Sequence, residues 1–236
     1  MGYSKMETVL PQDIKGILFD LDGTLYRMKW FMKPLFAVML FPDSLMLPRY
    51  MKIRKEFAGR EMGNGERLLQ AMAEKLSLQC SKDVQHTVSW IHNRFYKAFD
   101  SIMPLLRGSR PGINNTLAGL KKKGYKLAVV SDFAHISQRL AGLGIDHSLF
   151  DRLISSEEEG SLKPCHRCLA TIADSWNIKP LEMVVIGDRS DTDGGAASNA
   201  GMHFIKIFEK NPAYAHSFSW TDVQQYLNNL PAIAIP

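Results

Sequence analysis

A short apolar run that ends in two carboxylates and a glycine constrains this chain more than any other stretch. Residues 16 to 26 read Gly-Ile-Leu-Phe-Asp-Leu-Asp-Gly-Thr-Leu-Tyr. Ile17, Leu18 and Phe19 form a continuous apolar segment, the pattern of a strand buried in a parallel sheet. Asp20 and Asp22 follow at its tip, then Gly23 and Thr24. A strand does not end in two acids and a glycine for packing reasons. Buried carboxylates are costly and repel each other unless something positive sits between them. A divalent cation with oxygen ligands is the most economical choice. Gly23 lets the backbone turn sharply and come close to a ligand.

The rest of the chain divides by pattern. Lys15 to Asp20 reads as the first strand. From Arg27 to about Gly108 the spacing is helical. Leu69, Met72, Ala73 and Leu76 share one face of a helix over Glu66 to Gln79. Val84, Val88, Ile91, Phe95, Phe99 and Ile102 recur at steps of three and four, an amphipathic stripe over Asp83 to Met103, with Asp83 or Ser81 as its cap. After Arg107 helices and strands alternate. Strands are expected at Leu127 to Val130, Arg152 to Ser156, Met183 to Ile186 and His203 to Phe208. The intervening helices carry Ile113, Leu117 and Leu120; Ile136, Leu140 and Leu143; Leu169, Ile172, Ala173 and Trp176; and Ala196 to Ala200. A last helix is expected over Thr221 to Leu230, with Thr221 and Gln224 at capping-box spacing. Helices that join apolar strands argue for a parallel sheet with right-handed crossovers. The expected fold is therefore α/β: a Rossmann-like, five-stranded parallel sheet flanked by helices. A second, all-helical domain is inserted after the first strand. The core spans 1–26 and 109–236, the insert 27–108.

Charge follows the same division. Residues 27 to 108 carry 14 Lys+Arg against 7 Asp+Glu, and the remainder 15 against 17. A basic segment beside an acidic one suits an anionic substrate held between them. No basic run with interleaved aromatics and no nucleic-acid module is present, so nucleic acid is not expected. Cys80, Cys165 and Cys168 are too few and too unevenly placed for a disulfide framework, which indicates a reducing, cytoplasmic setting. Cys165 and Cys168 make a lone CxxC without a second pair. Helical spacing explains it, with Cys168 packed and Cys165 near the surface. Met1 to Asp13 lacks an apolar run of signal-peptide length. The most apolar window, Trp30 to Phe41, is too short to span a bilayer. It reads as a helix packed in its own domain, with a monotopic membrane contact as the less favoured alternative.

In an open parallel sheet, ligands bind beyond the carboxyl ends of the strands. Here those ends carry Asp20 and Asp22, Ser131-Asp132, and Gly187-Asp188. The third strand leads through Glu157-Glu158-Glu159, read as a solvated loop, to Lys163-Pro164. This inventory holds a nucleophile, an acid, a cation site and phosphate clamps.

Four stretches in this order resemble the signature motifs of the haloacid dehalogenase (HAD) superfamily. They are Asp20-Leu-Asp22-Gly-Thr24, Val129-Val130-Ser131, Lys163-Pro164, and Gly187-Asp188-Arg-Ser-Asp191-Thr-Asp193. The helical insert lies between the first and second motifs, where the family carries its C1 caps. The chain is most similar to the C1-capped, phosphoglycolate-phosphatase-like branch. The resemblance implies a Mg2+-dependent phosphatase acting on a small phosphorylated metabolite. Asp20 is the implied nucleophile, forming an aspartyl-phosphate. Asp22 is the implied general acid and base. The implied metal ligands are Asp20, Asp188 and Asp22, the last through its main-chain carbonyl. Asp193, or less readily Asp191, orders the metal's waters. Ser131, Asp132 and Lys163 bind the phosphoryl oxygens, the backbone N–H groups near Leu21 and Asp132 contributing.

Three relatives and one other class compete with that reading. A dehalogenase is disfavoured because Asp22 is present. A phosphonate-cleaving enzyme needs a different first motif. A phosphosugar mutase shares all four motifs and remains the alternative. So does an inactive HAD-like binding or regulatory module, although all four motifs are intact. The apolar stretch Trp30 to Phe41 suggests a leaving group of apolar or aromatic character. Hinges for the cap are expected at Tyr26 to Met28 and Leu106 to Ser109. Monomer and homodimer both remain open.

Overall fold

The computed structural model describes residues 13–106, 108–208 and 217–233. The leader expectation for Met1 to Asp13 lies outside them except at its last residue, and so does Arg107 within the second expected hinge.

Six parallel strands form one sheet. They are β1 (Gly16–Phe19), β2 (Lys126–Ser131), β3 (Arg152–Ser155), β4 (Met183–Gly187), β5 (His203–Ile207) and β6 (Ser217–Phe218), ordered β3-β2-β1-β4-β5-β6. The five expected strands are present within a residue or two of their expected bounds. The sixth, two residues long, pairs with the edge at Lys206 and Ile207. It is too short for any periodicity to announce it.

Every residue of β1 is buried, as its unbroken apolar sequence requires. Its side chains alternate between two faces. Ile17 and Phe19 join Leu127, Val129, Val184 and Ile186 on one face. Leu18 joins Ala128, Val130 and Val185 on the other.

Helices cover both faces. Among the described residues between β1 and β2 the chain forms no strand. It forms α1 (Met32–Met39), α2 (Met46–Phe57), α3 (Gly65–Cys80), α4 (Val84–Trp90), α5 (Tyr96–Ile102) and, last, α6 (Ile113–Lys122). Later crossovers supply α7 (Ile136–Gly142), α8 (Arg167–Trp176) and α9 (Gly195–Asn199), and α10 (Trp220–Asn229) follows β6. Cys168, Leu169, Ile172 and Ala173 of α8 pack on the Leu18 face with Ala196 and Ala197 of α9.

Several local details differ from the expectations. The stripe from Val84 to Ile102 is not one regular helix, because a π-turn at Ile91–Phe95 joins α4 to α5. It brings Trp90, Ile91, Phe95 and Tyr96 together in the core. Asp83 caps α4 through Gln85 and His86 N–H. On α3 it is Leu68 that is fully buried, while Leu69 lies at the margin. The last helix starts one residue earlier than expected. Its capping box is Ser219 with Asp222, because Ser219 Oγ reaches the Asp222 N–H at 3.2 Å and Asp222 Oδ2 returns to the Ser219 N–H at 3.0 Å.

Two chain crossings frame the helical segment. Tyr26 and Ser109 form an antiparallel bridge where the chain leaves β1 and where it comes back. Arg110 holds the departing loop, its Nε donating to the Thr24 carbonyl and its Nη2 to the Gly23 carbonyl, both at 2.8 Å. Among the described residues no helix is long and apolar enough to cross a membrane.

Candidate active site

β1 lies between β2 and β4, at the point where the strand order reverses. That switch point is where an open parallel sheet leaves a crevice at its carboxyl edge. β1 delivers Asp20 there, β2 delivers Ser131, and β4 delivers Asp188. The β3–α8 connection brings Lys163, and the turn before α9 brings Asp193.

Asp20, Asp188 and Asp193 each place a carboxylate oxygen within 4.8 Å of the others. Lys163 Nζ donates to Asp20 Oδ1 at 2.7 Å, Asp193 Oδ1 at 2.5 Å and the Val130 carbonyl at 3.2 Å. Thr24 Oγ1 donates to the other oxygen of Asp20 at 2.9 Å. The Arg189 N–H donates to Asp193 Oδ2 at 3.1 Å. Gly23, at φ +90°, is required twice over. Its backbone lies in the left-handed region, and a Cβ there would collide with Asp188 Oδ2.

When ionised, three carboxylates share one ammonium. Burial is the largest influence on Asp20 and raises its carboxyl well above the ordinary range, Lys163 only partly opposing it. Burial also leads for Asp188, and with Asp193 it pushes that carboxyl up to about 6. Burial would discharge Lys163, but Asp193 and Asp20 overcome it and hold the ammonium well above its usual value. The cluster therefore carries more negative charge than its own cation balances. Oxygen-only donors with an excess of two negative charges fit a hard divalent cation.

A consequence for stability follows. A carboxyl raised to about 6 in the fold, from an ordinary 3.8, favours the fold below 3.8. That contribution is lost as pH rises through 6. At neutral pH the ionised Asp188 therefore costs the cation-free fold on the order of 2–3 kcal/mol. Asp188→Asn should raise the melting temperature at neutral pH without added metal, by a few degrees. Stabilisation of the wild type by added Mg2+, the behaviour expected of a cation site here, should be absent from the variant. Thermal unfolding with and without Mg2+ checks both, and a variant still stabilised by Mg2+ would remove Asp188 from the cation site.

Asp22 is held differently. Arg139 of α7, completely buried, donates to both of its carboxylate oxygens. Tyr26 Oη donates to Oδ1 at 2.7 Å and Ser131 Oγ to Oδ2 at 3.1 Å. Ser131 Oγ in turn accepts from the Phe133 N–H at 3.1 Å. In this geometry Asp22 must part from Arg139 before it can meet another oxygen. The Arg139 guanidinium also lies 4.4 Å from the centre of the Phe99 ring on α5, so a helix of the inserted segment covers it.

A second buried arginine links that segment to the site. Arg54 of α2 donates to Glu157 and to the Asp132 carbonyl, and rests 4.0 Å from the Phe133 ring centre. Tyr96 Oη completes the pair, donating to Glu157 Oε1 at 2.5 Å. Asp132 Oδ1 accepts the Lys163 N–H at 2.9 Å. Beside this network a cavity of about 320 Å3 opens between segment and core, lined by Leu69, His92, Tyr96, Ala134, His135 and Glu157.

Asp20, Lys163, Asp188 and Asp193 thus meet at one place, with Asp132 held on the Lys163 N–H and Ser131 held on Asp22. Asp191 does not join them; it is exposed and paired with Arg189. The glutamate run is not uniformly solvated, because Glu157 is buried on Arg54 while Glu158 and Glu159 are exposed. Cys165 is buried rather than near the surface, its thiol 3.5 Å from Glu61 Oε1. Among the described residues the CxxC belongs to no metal-holding group. Arg54 and Arg139 escaped the sequence reading. Their signal was an arginine standing within an apolar helix stripe: Arg54 beside Tyr50, Ile53 and Phe57, and Arg139 between Ile136 and Leu140.

Comparison with known proteins agrees with this geometry. The family model of haloacid dehalogenase-like hydrolases matches residues 14–201. The chain belongs to the haloacid dehalogenase-like hydrolase family. A glyceraldehyde 3-phosphate phosphatase of Methanothermobacter thermautotrophicus is 29% identical over 201 residues, covering 82% of this chain and 85% of that protein. A phosphoglycolate phosphatase of Haemophilus influenzae is 31% identical over 216 residues, covering 84% and 92%. The HAD-hydrolase YfnB of Bacillus subtilis, solved bound to magnesium, shares the fold with a TM-score of 0.60 at 17% identity, covering 91% of this chain and 99% of that one. As a HAD-like hydrolase with phosphatase relatives, the chain is a phosphoric monoester hydrolase.

Proposed function

We propose that the chain hydrolyses a small, anionic phosphate monoester with Mg2+ through an aspartyl-phosphate on Asp20, beneath a helical cap formed by residues 27–108. The observation that carries this reading is the placement of Asp20. It sits at the tip of the central strand, bonded to Lys163 and grouped with Asp188 and Asp193.

The chemistry follows from those contacts. Asp20 attacks phosphorus, forming a new P–O bond as the ester P–O bond breaks. The leaving alkoxide takes a proton from Asp22, which then accepts one from the water that cleaves the acyl phosphate. For this Asp22 leaves Arg139, takes up a proton from solvent and presents it to the leaving oxygen. Lys163 neutralises the nucleophile and the oxygens in transfer, and Ser131 with the Asp132 loop binds the phosphoryl group. Asp20 and Asp188, with the Asp22 main-chain carbonyl, would hold Mg2+, which supplies further charge stabilisation when bound, and Asp193 beside them would order its waters.

The side chains of the cap that reach the loops around Asp20 include Arg54 and Phe99. Of the apolar window, Met32, Phe36 and Leu40 are buried in the core, whereas Trp30, Val38 and Phe41 face solvent. This arrangement supports small anionic esters, the substrate class that the relatives' names describe, over an apolar leaving group. Phosphate release from a panel of sugar, glycolate, glyceraldehyde and aryl phosphates tests it. Turnover should require Mg2+, stop with EDTA, and favour the small carboxylated or polyol esters. No release from any ester with Mg2+ would overturn the hydrolytic reading, and preference for aryl esters would overturn the substrate class.

A further inference from the structure

The inserted segment carries a surface that the phosphatase chemistry does not use. Trp30 is 86% exposed, Phe41 74%, Val38 73% and Leu45 69%, with Met28 close behind. Scattered exposed apolar residues are ordinary, but these five fall within eighteen consecutive positions. Helix α1 is apolar on both sides. It buries Met32 and Phe36, and it exposes Lys33, Pro34, Ala37 and Val38. Apart from Lys33 its exposed side is apolar, and such a face finds its partner outside the fold.

The exposure is built in. Arg94 Nη2 donates to the Phe41 carbonyl at 2.6 Å, and the Phe41 N–H donates to the Val38 carbonyl at 3.2 Å. The backbone beneath the exposed rings is therefore pinned.

Charge identifies the partner. Between residues 27 and 55 the sequence holds seven Lys or Arg and a single acid, Asp43. Asp43 is already engaged by Arg94 and Lys82, so it offsets little of the surface charge. Arg54 turns inward onto Glu157. Lys33 is exposed on α1, and Arg49, Lys52 and Lys55 are exposed on α2, the helix that follows. A second copy of the chain docked through the same patch would bring like charges together, since a two-fold interface opposes a surface to itself. Exposed aromatic and aliphatic side chains in so basic a segment match an anionic lipid surface, where the rings sit at headgroup depth and the cations meet phosphates.

We infer that the surface formed by Trp30, α1, Phe41 and Leu45 docks the protein peripherally on anionic membranes. α1 is far too short to span, so the segment lies on the bilayer. This inference does not depend on which ester is hydrolysed.

Flotation with phosphatidylcholine vesicles, with and without phosphatidylglycerol, tests it on the full chain. The protein should float with the anionic vesicles at low salt and leave them as salt rises. Trp30 emission should shift to the blue on binding; Trp90 and Trp220 are already buried, and Trp176 is partly buried against the Leu18 face of the sheet. The double variant Trp30→Ser with Phe41→Ser should lower partitioning roughly tenfold or more through lost apolar burial. Lys33→Glu should lower it about fivefold or more, the equivalent of about 1 kcal/mol for each basic residue at the surface. Both variants should release phosphate from a soluble ester at the wild-type rate. The inference is overturned if the wild type stays with the buffer at low salt, or if the double variant floats equally well. It is also overturned if the wild type sediments as a dimer that the double variant dissolves, which would assign the surface to a second copy.

Discussion

Asp20→Asn should lower Mg2+-dependent phosphate release by at least about four orders of magnitude, the scale of removing a covalent nucleophile that acts with its partners as a unit. The variant should fold. Asparagine keeps the shape of the side chain and an oxygen for Thr24 or Lys163. It also removes a carboxylate that burial disfavours and that Asp193 and Asp22 repel. Its cation-free melting temperature should therefore equal or exceed the wild-type value, which separates lost chemistry from lost structure. Acid quench during turnover adds a second readout. Labelled phosphate should stay on the wild-type protein as an acid-stable, hydroxylamine-labile adduct, and it should be absent from the variant. Activity within tenfold of wild type would move the nucleophile elsewhere.

The second large effect is on stability. Arg54 and Glu157 are 103 residues apart in sequence, yet both are buried and they satisfy each other. Arg54→Ala leaves Glu157 with Tyr96 alone and removes the donor to the Asp132 carbonyl. Breaking a buried pair from one side costs about 3–5 kcal/mol, because the remaining charge is stranded. The variant should lose that much in urea unfolding. Arg54→Met combined with Glu157→Leu should recover most of it, since replacing both charges by apolar groups of similar size is close to neutral. A single variant that loses less than about 1 kcal/mol would show that water reaches Glu157. The pair joins α2 to the loop that leads to Lys163, so the damaged variant should also bind substrate less well. A rise in KM larger than the fall in kcat is the expected form.

These two cases mark where the sequence was legible. The strand tips were, because acids, a serine and a lysine placed directly after apolar runs are local patterns. Their convergence follows from parallel topology alone. Asp20, Ser131, Lys163 and Asp188 needed no knowledge of distant contacts. Arg54 and Arg139 did. Each sits in an apolar helix stripe, and its meaning depends on an acid far along the chain, Glu157 or Asp22. Glu157 was misjudged for the same reason: within a run of three acids, nothing local says which one will find an arginine. The cap of α10 was misplaced by two residues because Thr221 and Gln224 imitate the spacing that Ser219 and Asp222 use. The π-turn between α4 and α5 stayed hidden because apolar positions at steps of three and four suit a regular helix equally well.

The bridge between Tyr26 and Ser109 has an evolutionary meaning. The departing and returning chains run side by side at that rung, so everything between them is a cassette plugged into two adjacent sockets. Such a cassette can be shortened, enlarged or exchanged without re-threading a single strand. A replacement segment keeps the hydrolytic parts in order only if it again brings a cation to the buried Glu157.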